Sequence, residues 1–332
     1  MSDPSPTQFE IRGADWLSLD EAQSRIFEDV GRLPAELIDV GDSLGRALAE
    51  NLKATATLPP WDNSAMDGYA VIAGSLKGAS RESPVVLSVV GSVAAGELPQ
   101  EEVRPGTAIR IMTGAPVPAG ADAVVPFEES DEIERRRSGG NPGEIAIHVE
   151  VQTGADIRPA GQDVRSGQRV LEQGTVLRPS EIGVLASLGS DTVKVVRRPV
   201  VAVLSTGNEL LEPGEEHGYG KIYDSNSYSV AAEVKRAGGI PKILSIAGDT
   251  QHSLNASLSE GLKSDFLITS AGVSKGDYDV VKDVLSERGT VEFWSVNMRP
   301  AKPLAFGVIN DPDGKIVPLL GLPGNPVSAL VA

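Results

Sequence analysis

The 332-residue chain contains no cysteine and only three histidines, at positions 148, 217 and 252. The lack of thiols excludes disulfides, cysteine nucleophiles and zinc–thiolate sites. The histidines are scattered and have no metal-ligand spacing such as H-x-x-x-H, so neither a histidine-built metal site nor a catalytic triad is indicated. Aromatic residues make up only 4% of the chain, which leaves few side chains that could stack on nucleic-acid bases.

Positive charge is also scarce. The chain has 30 lysines and arginines against 46 aspartates and glutamates, which gives a formal net charge of -16. This balance is opposite in sign to a nucleic-acid-binding surface, so we expect no nucleic-acid partner. The first residues are polar rather than an apolar secretory signal, and no apolar run approaches the roughly 20 residues that span a bilayer. We expect a cytoplasmic protein without a membrane partner.

The first half of the chain changes from helical to β-like patterning. Residues 18–33 repeat apolar positions at helical spacing after Ser18 and Glu21, which stand in capping-box register, and this predicts an amphipathic helix. Residues 43–51 predict a second, short helix. Between residues 54 and 166, short β-branched runs separated by glycine, proline and acidic turns predict a β-rich domain: VVLSVV, TAIRIMT, ADAVVPF and EIAIHVEV.

At about 150 residues per domain, the length predicts two or three domains. The mixed patterning returns after the β-rich domain, which is therefore interpreted as an insertion. We expect a discontinuous mixed helical linking domain at 12–53 and 167–198, the small β-rich domain at 54–166 and an α/β domain at 199–332. Short apolar runs alternate with helical segments in the α/β domain: runs at 200–206, 242–247, 265–270 and 315–321, and helices at 225–238, 252–263 and 278–288. This alternation predicts a parallel sheet wrapped by helices.

Polar side chains follow the predicted strands of the α/β domain. Glu209 follows the first strand, Asp249 the second, and Lys275 and Asp279 the third, while the fourth runs into GLPGNPVSAL. Ligands bind outside the carboxyl ends of parallel strands. Carboxylates beside glycine-rich turns and a helix start suit a divalent cation together with an anionic phosphate. The alternative is that each carboxylate caps a helix or is merely solvated; Asp249, just before Thr250, could cap the next helix.

A basic pair lies downstream of these loops. Arg299 and Lys302 are three residues apart, and Pro300 and Pro303 stiffen the turn around them. In so acidic a chain, two fixed cations would form a local anion well, although they could equally be unrelated surface residues. Neither a G-x-G-x-x-G motif nor a phosphate-binding P-loop is present.

Eight blocks occur in an order and spacing that closely resemble the molybdopterin molybdenumtransferases, a family that includes the E-domain of gephyrin. The resemblance runs from about residue 15 to the last residue. It rests on the segments PPWDNSAMDGYAV, IRIMTGAPVPAGADAVV, ASLG, STGNEL, IYDSN, AGVSKGDYD, RPAKPLAFG and GLPGNPVSA.

The resemblance implies an elongated, multi-domain homodimer that inserts molybdate into adenylylated molybdopterin, releases AMP and requires Mg2+. The sheet domain of this family binds the nucleotide-bearing pterin, and the β-rich domain of the partner subunit closes the cleft. Molybdopterin adenylyltransferase and molybdoenzyme-maturation proteins are the macromolecular partners that this role implies.

The same resemblance assigns residues by motif. The catalytic positions are Asp67, Thr113, Glu209, Asp249 and Asp279, of which the last three are also the metal positions. The substrate-binding positions are Asp163, Ser205, Thr206, Gly207, Gly272, Ser274, Lys275, Arg299, Lys302, Pro323, Gly324, Asn325 and Pro326.

The chain departs from the family pattern in three places. Ala271 replaces a common glycine, and Arg299 and Ala301 replace a lysine and a glycine. The sequence also stops inside the helix that NPVS opens, whereas the family continues into a C-terminal domain that contributes to the molybdate site. We therefore expect a chain lacking that domain. Two other functions stay open: a molybdopterin-binding scaffold or inactive fragment, and a molybdopterin adenylyltransferase, whose fold resembles residues 200–332 alone.

Overall fold

The computed structural model describes residues 16–141, 143–270, 284, 287–311 and 314–332. The chain divides into two compact units: unit 1 comprises Met1–Ile38, Gly45–Ala47 and Lys194–Ala332, and unit 2 comprises Asp39–Leu44 and Leu48–Val193. The three domain boundaries expected from the sequence stay predictions. Among the helices of the described ranges, none is long and apolar enough to cross a membrane.

The described α-helices are α1 Leu19–Asp29, α2 Glu132–Ser138, α3 Pro179–Ser187, α4 Asn226–Arg236, α5 Gln251–Gly261 and α6 Pro326–Val331. Helix α1 begins where the sequence predicts it. The Ser18 hydroxyl accepts the Glu21 N–H, and the Glu21 carboxylate accepts the Ser18 N–H, which completes the capping box. The helix ends earlier than predicted, because Val30 is already extended.

The strands are β1 Ala35–Asp39, β2 Leu52–Lys53, β3 Asn63–Ser64, β4 Gly68–Val71, β5 Val85–Val93, β6 Thr107–Ile111, β7 Ala123–Pro126, β8 Glu144–Ile147, β9 Ile157–Arg158, β10 Arg169–Leu171, β11 Thr192–Val196, β12 Val200–Ser205, β13 Leu210–Leu211, β14 Ile222–Tyr223, β15 Ile240–Ile243, β16 Phe266–Ser270, β17 Gly289–Ser295, β18 Pro303–Asn310 and β19 Ile316–Leu322. The four β-branched runs of the first half become β5, β6, β7 and β8, so those predictions are confirmed.

The short helix predicted at 43–51 is wrong. Gly45 adopts a φ of 74°, which interrupts a helix, and the following backbone pairs with other segments. Leu48 donates its N–H to the Thr175 carbonyl at 2.9 Å, and Ala47 accepts the Val196 N–H at 2.8 Å. These pairings satisfy the backbone groups that a helix would have used, so tertiary pairing outweighs the local helical pattern.

Unit 1 is built on a six-stranded sheet with the order β15-β12-β16-β19-β18-β17. The first four strands run parallel, as the sequence predicts. The last two form an antiparallel hairpin that was not predicted from the sequence, because the segment around Arg299 and Lys302 was interpreted only as a proline-stiffened turn. The α/β architecture is thus confirmed, with a mixed rather than purely parallel sheet.

Helices cover both faces of this sheet. Leu254 and Leu258 of α5 pack with Leu204 on one face. Val230 of α4 packs with Val203 on the other face, where α1 and α6 also contribute. The side chains of successive β12 residues point to opposite faces of the sheet. Because both faces are buried, apolar residues occupy successive positions of this strand.

Unit 2 contains a five-stranded sheet with the order β7-β4-β6-β5-β8. Strands β5 and β6 are parallel, and the other neighbours are antiparallel. Apolar side chains are buried on both faces of this sheet, since adjacent residues such as Ala108 and Ile109 belong to two different core clusters. Short strand pairs, β3 with β9 and β2 with β10, accompany the sheet.

A charged cluster fixes α2 against the sheet of unit 2. The Glu132 side chain is only 8% exposed and lies 3.0 Å from the Arg110 Nε, while Arg136 pairs with its other oxygen. The Arg110 guanidinium also lies 5.3 Å from the centre of the Tyr69 ring. Burial, followed by the charge of Glu132, raises the pKa of Tyr69 to about 12, so its hydroxyl remains a donor to Glu132.

A second ion pair anchors the start of β12 in unit 1. Both oxygens of Asp265 accept from the Arg197 guanidinium at 2.6 Å, and one also accepts the Val200 N–H at 2.8 Å. The Arg197 hydrogen bonds hold the pKa of Asp265 below its usual range. A carboxylate whose pKa is lowered by folding stabilises the folded state above its unfolded pKa, and this stabilisation is lost as the pH falls through the folded pKa.

We therefore expect Asp265→Asn to lower the free energy of unfolding by about 1–3 kcal/mol at pH 7. The difference from wild type should shrink when urea unfolding is repeated at a pH below the folded pKa of Asp265, where the wild-type carboxyl is protonated as well. Asp29→Asn, at the exposed end of α1, is the control and should change little at either pH. An Asp265 effect that does not depend on pH would contradict this account.

Candidate functional site

Four strand ends of unit 1 meet at one edge of its sheet. Ser205 at the end of β12 pairs in register with Ser270 at the end of β16, which pairs with Leu322 at the end of β19. Strand β18 runs the other way, so its first residue, Pro303, also lies at this edge. Neighbouring strands are about 4.8 Å apart, which places the four loops within roughly 15 Å of one another.

The loops after β12 and β15 are joined by hydrogen bonds. Gly207 donates its N–H to the Ala247 carbonyl at 3.1 Å. The Asn208 N–H donates to the Asp249 carboxylate at 3.0 Å. The alternative role of Asp249 as a helix cap is wrong, because the Thr250 hydroxyl caps α5 by accepting the Ser253 N–H at 3.2 Å. Asp249 instead holds the neighbouring loop.

The Glu209 carboxylate folds back over Gly207. A Cβ at Gly207, whose φ is 146°, would lie 2.5 Å from the Glu209 Oε2, so only glycine leaves room for this arrangement. The Glu209 carbonyl accepts the Ile222 N–H at 2.8 Å, which ties the loop to β14. The Lys221 ammonium donates to the Asn208 carbonyl. This lysine was not predicted from the sequence to lie at the site.

A cavity of about 80 Å³ opens at this edge, and Glu209 lines it. Its other lining residues come from three strand ends, the β13–β14 pair and the starts of α4 and α6: Ser205, Thr206, Leu210, Ile222, Tyr223, Asp224, Ser225, Asn226, Ser270, Gly324 and Pro326. This list contains several of the residues that the resemblance assigns to substrate.

Buried polar side chains form the floor of the cavity. The Asp224 Oδ1 accepts from the Ser205 hydroxyl at 3.0 Å and from the Ser227 N–H at 3.0 Å. Asn226 donates through Nδ2 to the Ser270 hydroxyl oxygen at 2.6 Å and to the Gly324 carbonyl at 2.8 Å. These bonds connect the ends of β12, β16 and β19. Neither Asp224 nor Asn226 was predicted from the sequence to have a role, although both lie in the IYDSN block.

The basic pair lies on the loop between β17 and β18. The backbone carbonyl of Lys302 accepts the Val296 N–H at 2.8 Å. Its ammonium nitrogen lies 3.9 Å from the centre of the Trp16 ring. Arg299 is exposed on the same loop. Ala301 between them is 3% exposed and has a φ of 78°, a left-handed conformation that glycine tolerates better.

Glycine at position 301 would relieve this backbone strain. The left-handed conformation costs a non-glycine residue about 1–2 kcal/mol. Ala301→Gly removes this cost, whereas Ala305→Gly has no such cost to remove. We therefore expect the free energy of unfolding of Ala301→Gly to exceed that of Ala305→Gly by about 1–2 kcal/mol. Ala305 is the matched control because it is equally buried but lies in regular β18. Urea unfolding of both variants gives the difference, and equal losses would contradict the strain at Ala301.

The helix that follows β19 is capped by its own side chain. Asn325 accepts the Val327 and Ser328 N–H groups at 3.0 and 3.3 Å, and Pro326 has no N–H. The Val327 and Ser328 N–H groups at the start of α6 therefore already donate to the Asn325 side chain. This does not support the expectation of a phosphate at this helix start. Pro323 is buried beneath the turn.

Two of the expected positions in unit 2 lie together. The Asp67 Oδ1 accepts both the N–H and the hydroxyl of Thr113, each at 2.7 Å. These two hydrogen bonds, the backbone one first, hold the pKa of Asp67 below its ordinary value. Asp163 is exposed, and its backbone N–H donates to the Leu58 carbonyl at 3.0 Å.

The remaining expected positions lie outside the described residues: Ala271, Gly272, Ser274, Lys275 and Asp279. Within the ranges that the structure describes, no group of three or more histidine, aspartate or glutamate side chains could by itself hold a metal ion. Glu209 and Asp249 are the expected metal ligands that the structure describes, and they lie on adjacent, hydrogen-bonded loops.

Comparison with known proteins covers nearly the whole chain. Residues 17–189 match the family described as MoeA N-terminal region (domain I and II), and residues 202–332 match the probable molybdopterin binding domain. A Mycobacterium tuberculosis protein named molybdopterin molybdenumtransferase 2 is 39% identical over 95% of this chain and 76% of its own length. The Haemophilus influenzae molybdopterin molybdenumtransferase is 38% identical over 95% of this chain and 74% of its own length.

The likeness extends to solved structures. The molybdopterin biosynthesis MoeA protein of Pyrococcus horikoshii superposes with a TM-score of 0.78 at 34% identity, over 95% of this chain and 76% of that one. The sequence match and the structural match both extend over the two units. The chain belongs to the MoeA family of molybdopterin molybdenumtransferases.

Proposed function

We propose that this chain inserts molybdate into adenylylated molybdopterin and releases AMP. The names of its relatives, molybdopterin molybdenumtransferases, support the transfer of molybdenum to molybdopterin. The observation that carries the proposal is the cavity at the carboxyl edge of the unit 1 sheet, which Glu209 lines together with the buried polar residues Asp224 and Asn226. A cleft at this position of an open α/β sheet is the expected place for a nucleotide-bearing ligand.

The proposed Mg2+ requirement fits the donor set. Glu209 and Asp249 supply carboxylate oxygens, the ligands that Mg2+ prefers, and Gly207 leaves the space into which the Glu209 carboxylate folds. Asp279 is proposed as a further ligand. A bound Mg2+ would offset the charge of the phosphoanhydride as it is cleaved.

The chain's own residues would bind and orient the substrate. We propose Ser205, Thr206, Gly207, Gly324 and Pro326 as contacts to it, with the Ser205 hydroxyl held in a fixed direction by buried partners. No covalent protein nucleophile is needed: a molybdate oxygen can attack the AMP phosphorus, which breaks the phosphoanhydride P–O bond with the pterin phosphate as leaving group, and the pterin dithiolate then displaces AMP from molybdenum. Arg299 and Lys302 are proposed to attract the molybdate dianion, since both lie on the loop that reaches this edge of the sheet.

Other parts of the proposal concern assembly and location. Asp67, Thr113 and Asp163 are proposed as functional residues of unit 2, and the active form as a cytoplasmic homodimer that receives its substrate from a molybdopterin adenylyltransferase. The linking, β-rich and α/β domains expected from the sequence are part of the same proposal. Sedimentation equilibrium should give twice the 34.7 kDa chain mass. A mass that stays monomeric at micromolar concentration would refute the homodimer.

The test of the reaction is AMP release. The chain is mixed with adenylylated molybdopterin, Mg2+ and molybdate, and AMP is followed by chromatography. We expect AMP release that depends on molybdate and needs no ATP. An adenylyltransferase would instead consume ATP and unmodified molybdopterin, and a scaffold would bind the adenylylated pterin without releasing AMP. Either of these results would refute the proposed reaction.

A further inference from the structure

The side-chain amide of Asn226 has one polar atom that no described residue uses as a hydrogen-bond partner. The residue is 7% exposed, and its Nδ2 donates to the Ser270 hydroxyl oxygen and to the Gly324 carbonyl. A backbone carbonyl can only accept, so the contact with Gly324 fixes which end of the amide is nitrogen. The Oδ1 is therefore an acceptor in a known direction, and no donor among the described residues reaches it.

A buried carbonyl oxygen without a donor is costly, because it has lost its hydrogen bonds to water and gained none in return. Asn226 lines the cavity at the carboxyl edge of the sheet. The neighbouring polar groups of the floor already have partners: the Ser205 hydroxyl lies 3.0 Å from Asp224 and 2.9 Å from the Ser227 hydroxyl. Asn226 is thus a residue of the cavity lining whose acceptor no described donor satisfies, and a ligand in the cavity could supply that donor.

We propose that the Asn226 Oδ1 accepts a hydrogen bond from an N–H or O–H group of the substrate and so determines which ligands the cavity takes. The inference rests on the proposed function, because adenylylated molybdopterin carries such donors at both ends. Its pterin ring has an exocyclic amino group, its ribose has two hydroxyls, and its adenine has a further amino group. A site built to accept a hydrogen bond rejects an analogue that lacks the donor, since the buried oxygen is then left unpaired.

Two ligand sets distinguish the sources of the donor. The first compares AMP with 2′-deoxy-AMP, 3′-deoxy-AMP and IMP, each of which lacks one donor of the nucleotide. The second is 6-hydroxymethylpterin against 6-hydroxymethyllumazine, in which an oxo group replaces the amino group. Isothermal titration calorimetry on the wild-type chain should show at least about tenfold weaker binding for one analogue.

The same titrations are repeated with Asn226→Leu, which keeps the side-chain size and removes the acceptor. In this variant the affinities for the parent ligand and its analogue should differ by less than about twofold. The variant lacks the acceptor and the analogue lacks the donor, so neither ligand makes the hydrogen bond. Ser270→Ala is the matched control: it removes one partner of Nδ2 but keeps the Gly324 contact and the Oδ1, so the discrimination should persist. Should Asn226→Leu not fold, Asn226→Ala takes its place.

The outcomes separate this inference from the proposed function. If the parent ligands bind wild type without discrimination against any analogue, or if Asn226→Leu retains full discrimination, the role of Asn226 is refuted and the proposed function stands. If neither AMP nor the pterin binds wild type, both are refuted. Discrimination that Asn226→Leu abolishes and Ser270→Ala preserves supports the inference, and the ligand pair affected identifies the donor.

Discussion

Glu132→Ala is expected to lower the free energy of unfolding by about 3–5 kcal/mol. The variant leaves the Arg110 guanidinium buried beside the sheet of unit 2 without its carboxylate, and the Tyr69 hydroxyl without its acceptor. The Arg110 Nε and Glu132 Oε2 contact at 3.0 Å is an ion pair rather than a well-aligned hydrogen bond. Its importance therefore lies in compensating buried charge. Urea unfolding measures the loss of global stability. Hydrogen exchange of the β4 and β6 amides measures the local loss of protection beside the cluster.

Two control variants make this result specific. Glu134→Ala lies on the same helix but is exposed, so it should change stability by less than about 0.5 kcal/mol. Replacing both partners, Arg110→Met with Glu132→Leu, should recover most of the loss, because no buried charge then remains unpaired. A Glu132→Ala effect no larger than that of Glu134→Ala would show that the cluster does not anchor α2.

Glu209→Gln should reduce AMP release from adenylylated molybdopterin by about 100-fold or more. The substitution keeps the shape of the side chain that folds over Gly207, but removes the charge proposed to hold Mg2+ at the cavity. Gly207→Ala should produce a similar loss by a different route. Its added Cβ would lie 2.5 Å from the Glu209 Oε2 and would push the carboxylate away.

The matched control for Glu209 is Glu216→Gln, an exposed acidic residue of the same segment that does not line the cavity. It should leave AMP release within about twofold of wild type. The loss in Glu209→Gln should also be accompanied by a higher Mg2+ concentration at half-maximal rate. Full activity in Glu209→Gln at low Mg2+ would remove Glu209 from the site.

The sequence predicted those elements whose local pattern and tertiary role agree. Helix α1 carries its capping box within four residues, Ser18 to Glu21, and residues 200–204 of β12 are all apolar because helices cover both faces of its sheet. At 43–51 the local helical pattern conflicts with backbone pairing to residues such as Thr175, more than a hundred positions away. A single sequence contains no direct signal for such pairing.

The candidate site was predictable in part for the same reason. Glu209 and Asp249 follow apolar strands, so the parallel-sheet rule alone brings their loops to one edge. Asn226 and Asp224 could not be distinguished from ordinary residues at a helix start. Their roles depend on partners from other strands, Ser205, Ser270 and Gly324, which only the folded chain brings together.

Hydrogen exchange with bound adenylylated molybdopterin tests most directly where the substrate binds. Without molybdate, so that the ligand stays intact, we expect slower exchange at residues 205–209, 224–227 and 323–326, which line or support the cavity of unit 1. Saturating ligand that leaves these three segments unchanged, while protecting only other parts of the chain, would contradict the account.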